Sequence, residues 1–497
     1  MPPTPPPSST AHAAPSSAGT APAAARRPNA VVTALAFSGV TVSLMQTVVI
    51  PLVPRLPELL GSTPANTAWA ITATLLAAAV ATPTVGRLGD MYGKRRMLLA
   101  SLALMVAGSV LGALSTSLAP LVAARVLQGL AAGVIPLGIS IMRDELPVER
   151  LGSATALMSA SLGVGGALGL PAATLLAESA DWHVLFWVAA GLGAAAAALV
   201  ARLVPESPVR SGGRFDLVGA VGLSTVLVCL LLAVSKGTEW GWTSGLTIGL
   251  VAAVLVLLPA WGRWELRTRE PLVDLRTTAR RPVALTNLAS AVFGFSMFAM
   301  SLVMPQLLQL PAGTGHGLGQ PMVVVGLVLA PSGLVMMAMA PVSARITRTS
   351  GPRTTLVAGT LVVAAGYGLN LVLMSQIWQL VLVSVVIGAG IGLAYGAMPA
   401  LIMSAVPVSE TAAANSLNTL MRSIGTSVSS AVAGVVLSQL TVPFGPAPVP
   451  SLTGFRVVIA VGAGAALAAA AVAALIPAGD QSTADGAIAA AGSRTHP

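Results

Sequence analysis

GRLGDMYGKRR, residues 86–96, is the stretch on which the fold turns. Apolar residues fill 66–86 before it and 96–115 after it, and a helix needs roughly 20 residues to cross about 30 Å of hydrocarbon. Between two such helices the stretch reads as a tight polar turn. Gly86 and Gly93 permit close backbone approach and unusual dihedrals. Asp90 is a lone acid amid Arg87, Lys94, Arg95 and Arg96, suited to pair with an arginine or to sit at a helix N-terminus. A link of that kind between two bodies holds one arrangement and breaks in another. An ordinary basic loop would account for the arginines but not for the Gly/Asp/Gly spacing.

The same alternation of apolar run and short polar turn extends along the chain. Of 497 residues, 55% are hydrophobic and 8% are charged, against about 25% charged in soluble proteins. So few charges cannot cover a soluble fold, whereas lipid needs no polar covering. The 51 glycines fit close helix packing in a bilayer. Fourteen apolar stretches are predicted as spans: 31–53, 66–86, 96–115, 118–141, 153–176, 184–204, 216–235, 244–262, 282–306, 321–344, 354–373, 377–402, 411–438 and 455–476. Residues 1–29, rich in Pro, Ala and Ser, and 478–497 are expected as disordered cytoplasmic tails. With the N-terminus inside, most of the 26 lysines and arginines fall on the cytoplasmic side. Arg55, Lys236 and Arg456 fall outside, and Arg125 and Arg422 lie within spans. That bias predicts a multi-pass protein of the cytoplasmic membrane with both termini inside. It also accounts for the net charge of +10 without a nucleic-acid partner.

Two segments recur. GRLGDMYGKR (86–95) aligns with ARITRTSGPR (344–353), and PVERLGSATAL (147–157) aligns with PVSETAAANSL (407–417), at nearly the same offset. Two homologous halves are therefore expected: a six-helix bundle at 30–205, an inserted pair of helices within 206–281, and a second six-helix bundle at 282–477. A site at the interface of such halves, near mid-membrane, is a transporter arrangement. No Walker-type loop, Gly-x-Ser-x-Gly elbow or zinc-type Cys/His cluster is present in the sequence. The single Cys229 reads as a small apolar side chain. An enzyme, an ATP-driven pump and a metal site are not expected.

The 86–96 segment resembles the loop 2–3 signature of the major facilitator superfamily, and three further segments are similar to motifs of its 14-helix drug:proton antiporter branch. LVAARVLQGLAAG (121–133) resembles the span 4 motif, which implies proton coupling through Arg125 with Gln128. SLGVGGALGLP (161–171) resembles the antiporter motif: Gly165 and Gly169 match, Gly166 and Leu170 depart from it, and Pro171 follows. LMQTVVIPLVP (44–54) is similar to the span 1 signature, with Met45 where the branch usually has Asp. The resemblance implies an all-α membrane fold and proton-driven export of a hydrophobic small molecule by alternating access, of the kind actinobacteria use for antibiotic efflux. The proton gradient then replaces any cofactor, and a monomer is expected.

No acid sits deep in a span. Glu178, Asp181 and His183 at the outer mouth are the candidate proton carriers, Glu178 first among them. The gate residues are Gly86, Arg87, Asp90, Gly93, Lys94 and Arg95. The cavity candidates are Met45, Gln46 and Thr47 in span 1, Asn287 and Met297 in span 9, and Asn415, Asn418 and Arg422 in span 13. The last three recur at steps of three and four, so they share one helix face, and a polar stripe in lipid turns inward. The departures from the antiporter motif leave an importer on the same fold as the alternative. A non-transporting membrane sensor is a further one, disfavoured because no soluble signalling domain is visible.

Overall fold

In hydrocarbon every backbone N–H and C=O must be satisfied within the chain, and the apolar runs achieve this as helices. The computed structural model describes residues 28–477 apart from 48, 53, 54, 180, 445 and 446. The expected tails lie outside the described residues, except Pro28 and Asn29, which open the first helix. Proline is tolerated there because its missing N–H has no partner in a first turn.

Thirteen described stretches are long and apolar enough to span a membrane. One of them, Met322–Val372, has 51 residues and as a straight helix would measure roughly 76 Å, more than twice the hydrocarbon thickness. It breaks at Gly351 (φ 84°, ψ 158°), so it is two spans and the crossings number fourteen. They are α1 (Pro28–Thr47), α2 (Trp69–Tyr92), α3 (Lys94–Ala113), α4 (Leu118–Glu145), α5 (Val148–Ser179), α6 (His183–Leu203), α7 (Leu217–Trp240) and α8 (Gly245–Arg267). The second series is α9 (Arg281–Gln309), α10 (322–350), α11 (352–372), α12 (Ile377–Ala405), α13 (Thr411–Gln439) and α14 (Leu452–Ala474). A 3₁₀ turn at Leu130–Gly133 interrupts α4, just before Pro136, whose missing N–H leaves the carbonyl four residues back without its helical donor.

The 86–96 segment departs from the expected loop. Helix α2 continues through Gly86, Arg87 and Asp90 to Tyr92, and the turn is Gly93 alone (φ 117°, ψ 126°). One glycine in a region closed to other residues reverses the chain, so the gate residues before it ride on a helix. Its counterpart in the second half, Gly351, does the same. The equivalence extends two residues on: Arg95 donates to Ala201 O at the end of α6, and Arg353 donates to Ala474 O at the end of α14. The repeat read in the sequence is thus a repeated fastening of the sixth helix of each half.

Each half has its own apolar core, one centred on Leu35, Leu98, Met105, Leu137 and Phe186 and the other on Phe293, Tyr367, Ile387 and Phe455. The halves meet along two seams, α5 against α10 and α2 against α13. Helix α7 packs on both α2 and α13 and covers that seam, sharing an apolar cluster of Leu223, Leu227, Leu417 and Leu420. Helix α8 packs on α7 and is only 6% buried along its span, so lipid surrounds nearly all of it. Between α13 and α14 the chain makes an antiparallel hairpin, β1 (Thr441–Phe444) and β2 (Ala447–Pro450), a small exception to the all-helical expectation.

The two turn glycines differ in surroundings, which makes them a test of the repeat. A Cβ at Gly93 would lie 2.7 Å from Glu206 Oε1, whereas at Gly351 nothing lies within 4 Å. Gly351→Ala should cost only the dihedral strain, about 1–3 kcal/mol, and Gly93→Ala that strain plus displacement of Glu206. Thermal unfolding of the purified variants in detergent should therefore rank wild type above Gly351→Ala, and that above Gly93→Ala.

Candidate functional site

The loops joining α2 to α3, α4 to α5, α6 to α7, α8 to α9, α10 to α11 and α12 to α13 form an arginine-rich face, and the halves are tied together there. Helix α13 begins at Thr411, and its first backbone N–H groups have no intrahelical acceptor. Asp90, fully buried at the end of α2, accepts from Ala412 N at 3.2 Å with one oxygen and from Ala413 N at 2.8 Å with the other. A carboxylate at a helix N-terminus also meets the positive end of the helix dipole. Lys94 stands 3.8 Å from Asp90 and 2.6 Å from Asp144 at the end of α4, so the acid stays within a balanced charge cluster. Arg143, next to Asp144, makes a second tie across the seam, donating to Thr411 Oγ1 and, at 3.2 Å, to Val406 O. Gly86 allows this closeness: a Cβ there would lie 2.8 Å from Ala412 O. Arg87 donates to Ser211 Oγ at 3.5 Å, and Ser211 N to Asp90 O at 2.8 Å, which draws the α6–α7 loop beneath the latch.

Arg125 lies seven residues into α4, roughly 10 Å from its first residue, and is 2% exposed. Its partners all belong to the first half. Nε donates to Ala70 O of α2 at 3.1 Å, Nη1 to Met45 O of α1 at 3.0 Å, and Nη1 also to Gln128 Oε1. Gln128 Nε2 passes the chain on to Ser109 Oγ of α3 at 2.9 Å. Arg125 and Gln128 are thus brought together as the sequence reading expects, but as a knot gathering α1 to α4 inside one bundle. Met45 contributes its carbonyl to that knot, while Gln46 is exposed and Thr47 packs beside Gly169. On α5, Gly165 admits Ser43 and Val40 of α1, with Val40 O at 2.8 Å from a Cβ placed there, while Pro171 lies against Gly326 of α10. The antiporter-like segment therefore presses on its own half with one face and on the other half with the opposite one.

At the end of α5 away from the arginine-rich face, the side chain of Glu178 lies outside the described residues. Asp181 and His183 bond each other. Asp181 accepts from His183 N at 2.9 Å, and this backbone N–H, followed by the ring, holds its carboxyl below the usual range. The other ring nitrogen of His183 bonds Ser115 O at 2.9 Å, which pins the start of α6 to the end of α3.

In the second half the predicted polar stripe does face inward. Asn418 Nδ2 donates to Asn287 Oδ1 at 3.0 Å and to Ser290 Oγ at 2.8 Å, joining α13 to α9. Asn415 turns back on its own helix, donating to Thr411 O at 3.0 Å. One turn beyond Asn418, the Arg422 guanidinium lies 4.5 Å over the ring of Tyr395 on α12. Tyr395 OH points to Met297 Sδ at 2.9 Å, and Phe293 meets the ring edge-on, with centroids 6.0 Å apart. Counted from the arginine-rich ends of α13 and α12, Arg422 and Tyr395 are both roughly 15 Å deep, the middle of the hydrocarbon. A cation there costs about 3 kcal/mol or more, and an aromatic face returns ~2 kcal/mol at best. Tyr395, Phe293, Ser290 and Arg143 escape the sequence reading. For Tyr395 a signal existed: the chain has three tyrosines, and this one sits in the middle of an apolar run.

The knot sets a prediction. Arg125→Ala takes the guanidinium from Met45 O and the Gln128 amide oxygen, at about 1–3 kcal/mol for each buried group, and leaves Ala70 O to Thr74 Oγ1. Thermal unfolding should drop sharply. Arg125→Lys should recover only part of the loss, because one ammonium cannot span three helices as a guanidinium fork does.

Residues 35–430 match the profile of the Major Facilitator Superfamily. The chain is 29% identical over 424 residues to the tetracenomycin C resistance and export protein of Streptomyces glaucescens, covering 83% of this chain and 76% of that one. It is 24% identical over 382 residues to multidrug resistance protein 3 of Bacillus subtilis (strain 168), covering 75% and 72%. An uncharacterized MFS-type transporter of Mycobacterium tuberculosis is 29% identical over 426 residues, or 82% of this chain, which spans only 59% of that relative's length. The solved human organic anion transporter MFSD10 (TETRAN) superposes with a TM-score of 0.65 at 16% identity, over 90% of this chain and 99% of that one. At that identity the shared property is the fold. Because the family match runs from α1 into α13, the chain belongs to the major facilitator superfamily.

Proposed function

We propose that the chain is a secondary transporter of the cytoplasmic membrane that exports a hydrophobic small molecule in exchange for protons. It works as a monomer by alternating access. The arginine-rich face and both termini are cytoplasmic, and the bundles at 30–205 and 282–477 rock about a site between them, with the pair within 206–281 alongside. Arg125 and Gln128, with Glu178 at the outer mouth, carry the proton coupling. Met45, Gln46, Thr47, Asn287, Met297, Asn415, Asn418 and Arg422 line the path of the cargo.

One observation carries this reading: the Asp90 carboxylate caps the start of α13 across the seam between the halves. A helix-end charge contributes about 0.3–2 kcal/mol and a charge-assisted hydrogen bond ~1.5–3 kcal/mol. The latch is therefore worth a few kcal/mol, enough to hold one state and small enough to be broken in each cycle. With it made, the halves are shut on the cytoplasmic side, the state in which an exporter releases cargo outward. When it breaks, Asp90 keeps Lys94, and Lys94 keeps Asp144, so no bare charge is left buried. Relatives named for tetracenomycin C export and for multidrug resistance support the direction.

The test is a susceptibility profile of a sensitive host expressing wild type or Asp90→Asn at equal protein level. Wild type should raise the tolerated concentration of at least one apolar compound several-fold, and Asp90→Asn should remove most of that gain. Adding an uncoupler should increase accumulation of the compound in wild-type cells. A decrease would identify an importer instead, the alternative that the departures at Gly166 and Leu170 leave open.

A further inference from the structure

The chain has two mid-span arginines, and the structure treats them differently. Arg125 is 2% exposed, and its guanidinium meets Ala70 O, Met45 O and Gln128 Oε1. It is fully used by the protein. Arg422 is half-buried. Among the described residues it has the Tyr395 ring beneath it but neither a carboxylate nor a hydrogen-bond acceptor. Acids of the described spans are held elsewhere, Asp90 by α13 and Lys94, Asp144 by Lys94 and Ser207, Glu239 by Lys236 and Glu265 by Val273 N, while Glu145 and Glu149 stand at the arginine-rich ends of α4 and α5. One turn toward the cytoplasmic face, Asn287 Nδ2 is also buried with no acceptor. Both groups are donors.

The platform that holds Arg422 is stiff. Gly294 and Gly425 bring α9 and α13 into backbone contact, so that a Cβ at Gly294 would lie 3.0 Å from Arg422 C and one at Gly425 2.9 Å from Phe295 N. Tyr395 is fixed through its hydroxyl on Met297 and its edge contact with Phe293. A guanidinium fork over an aromatic ring, with no acceptor on its nitrogens among the described residues, suits a planar two-oxygen anion. Met297 and the aromatic rings offer an adaptable apolar wall beside it.

We propose that Arg422 is the docking point for an acidic group on the cargo, so that the transported molecule is an amphiphilic organic anion: a hydrophobic body bearing a carboxylate or a phenolate. This rests on the export reading for its direction, but the binding site stands on the geometry alone. The cargo's charge supplies the counter-ion that the protein withholds, and the guanidinium is paired only when the site is filled.

The test uses three probes on one skeleton: pyrenebutyrate, pyrenebutanol and a pyrenebutyl-trimethylammonium salt. Their binding to the purified full chain in detergent is followed by fluorescence. Wild type should bind the anion at least tenfold more tightly than the alcohol, and the cation least. Arg422→Gln should bring the anion down to the affinity of the alcohol while leaving the alcohol unchanged. Arg422→Lys should keep part of the preference, since it retains the charge but loses the planar fork. Thermal unfolding of each variant separates lost recognition from lost folding. Equal binding of the three probes by wild type, no binding of the anion, or an undiminished preference in a folded Arg422→Gln overturns the assignment. Accumulation of the same probes in expressing cells tests export separately. Anion-selective binding without lowered accumulation would leave the site standing and remove the export reading.

Discussion

A guanidinium placed in hydrocarbon needs its hydrogen-bond acceptors close by, and Arg125 finds them on three helices at once. Its bonds to the carbonyls of Met45 and Ala70, with the relay through Gln128 to Ser109, join α1, α2, α3 and α4 at one depth. Water cannot substitute for any of those acceptors inside a bilayer, so the arrangement is cooperative: displacing one helix strands the charge for all. The first half is therefore rigid around this point. At the arginine-rich end of that rigid half stands the Asp90 carboxylate, which bonds the second half at the start of α13.

The two halves repeat the same turn but not the same charge. Gly93 and Gly351 share their backbone conformation, and Arg95 and Arg353 fasten equivalent helix ends. The position of Asp90 is occupied in the second half by Arg348. Helix α13 therefore receives a carboxylate at its first turn, while α5, its counterpart, receives none from an equivalent residue. The two halves share these turns and fastenings, and one acidic side chain breaks the symmetry on the α2/α13 side.

The spans are legible in the sequence because hydrocarbon imposes one rule on each of them, length and apolarity, and that rule needs no knowledge of neighbours. The repeat is legible for a related reason, since the positive-φ turn tolerates only glycine and so leaves a fixed letter at 93 and 351. The site is legible only where polarity stands out against an apolar background, as at Asn287, Asn418, Arg125 and Arg422. Its assembly is not. Tyr395 looks like packing until α12 is laid against α13, and Met297 looks like any thioether until a hydroxyl reaches it. Arg143 reads as one more basic residue of a cytoplasmic loop, although its partners Thr411 and Val406 lie in the other half. The segment at 86–92 reads as loop in the sequence because its residues are polar. Burial between helices, invisible in one segment's composition, lets it stay helical.

Helix α7 lies along the seam between α2 and α13. With that flank occupied, the molecule is one-sided in the plane of the membrane. A lipid-dissolved solute meets a palisade on the α7 flank and a bare joint on the α5/α10 flank. A twelve-helix scaffold of the same plan would leave both seams bare to lipid.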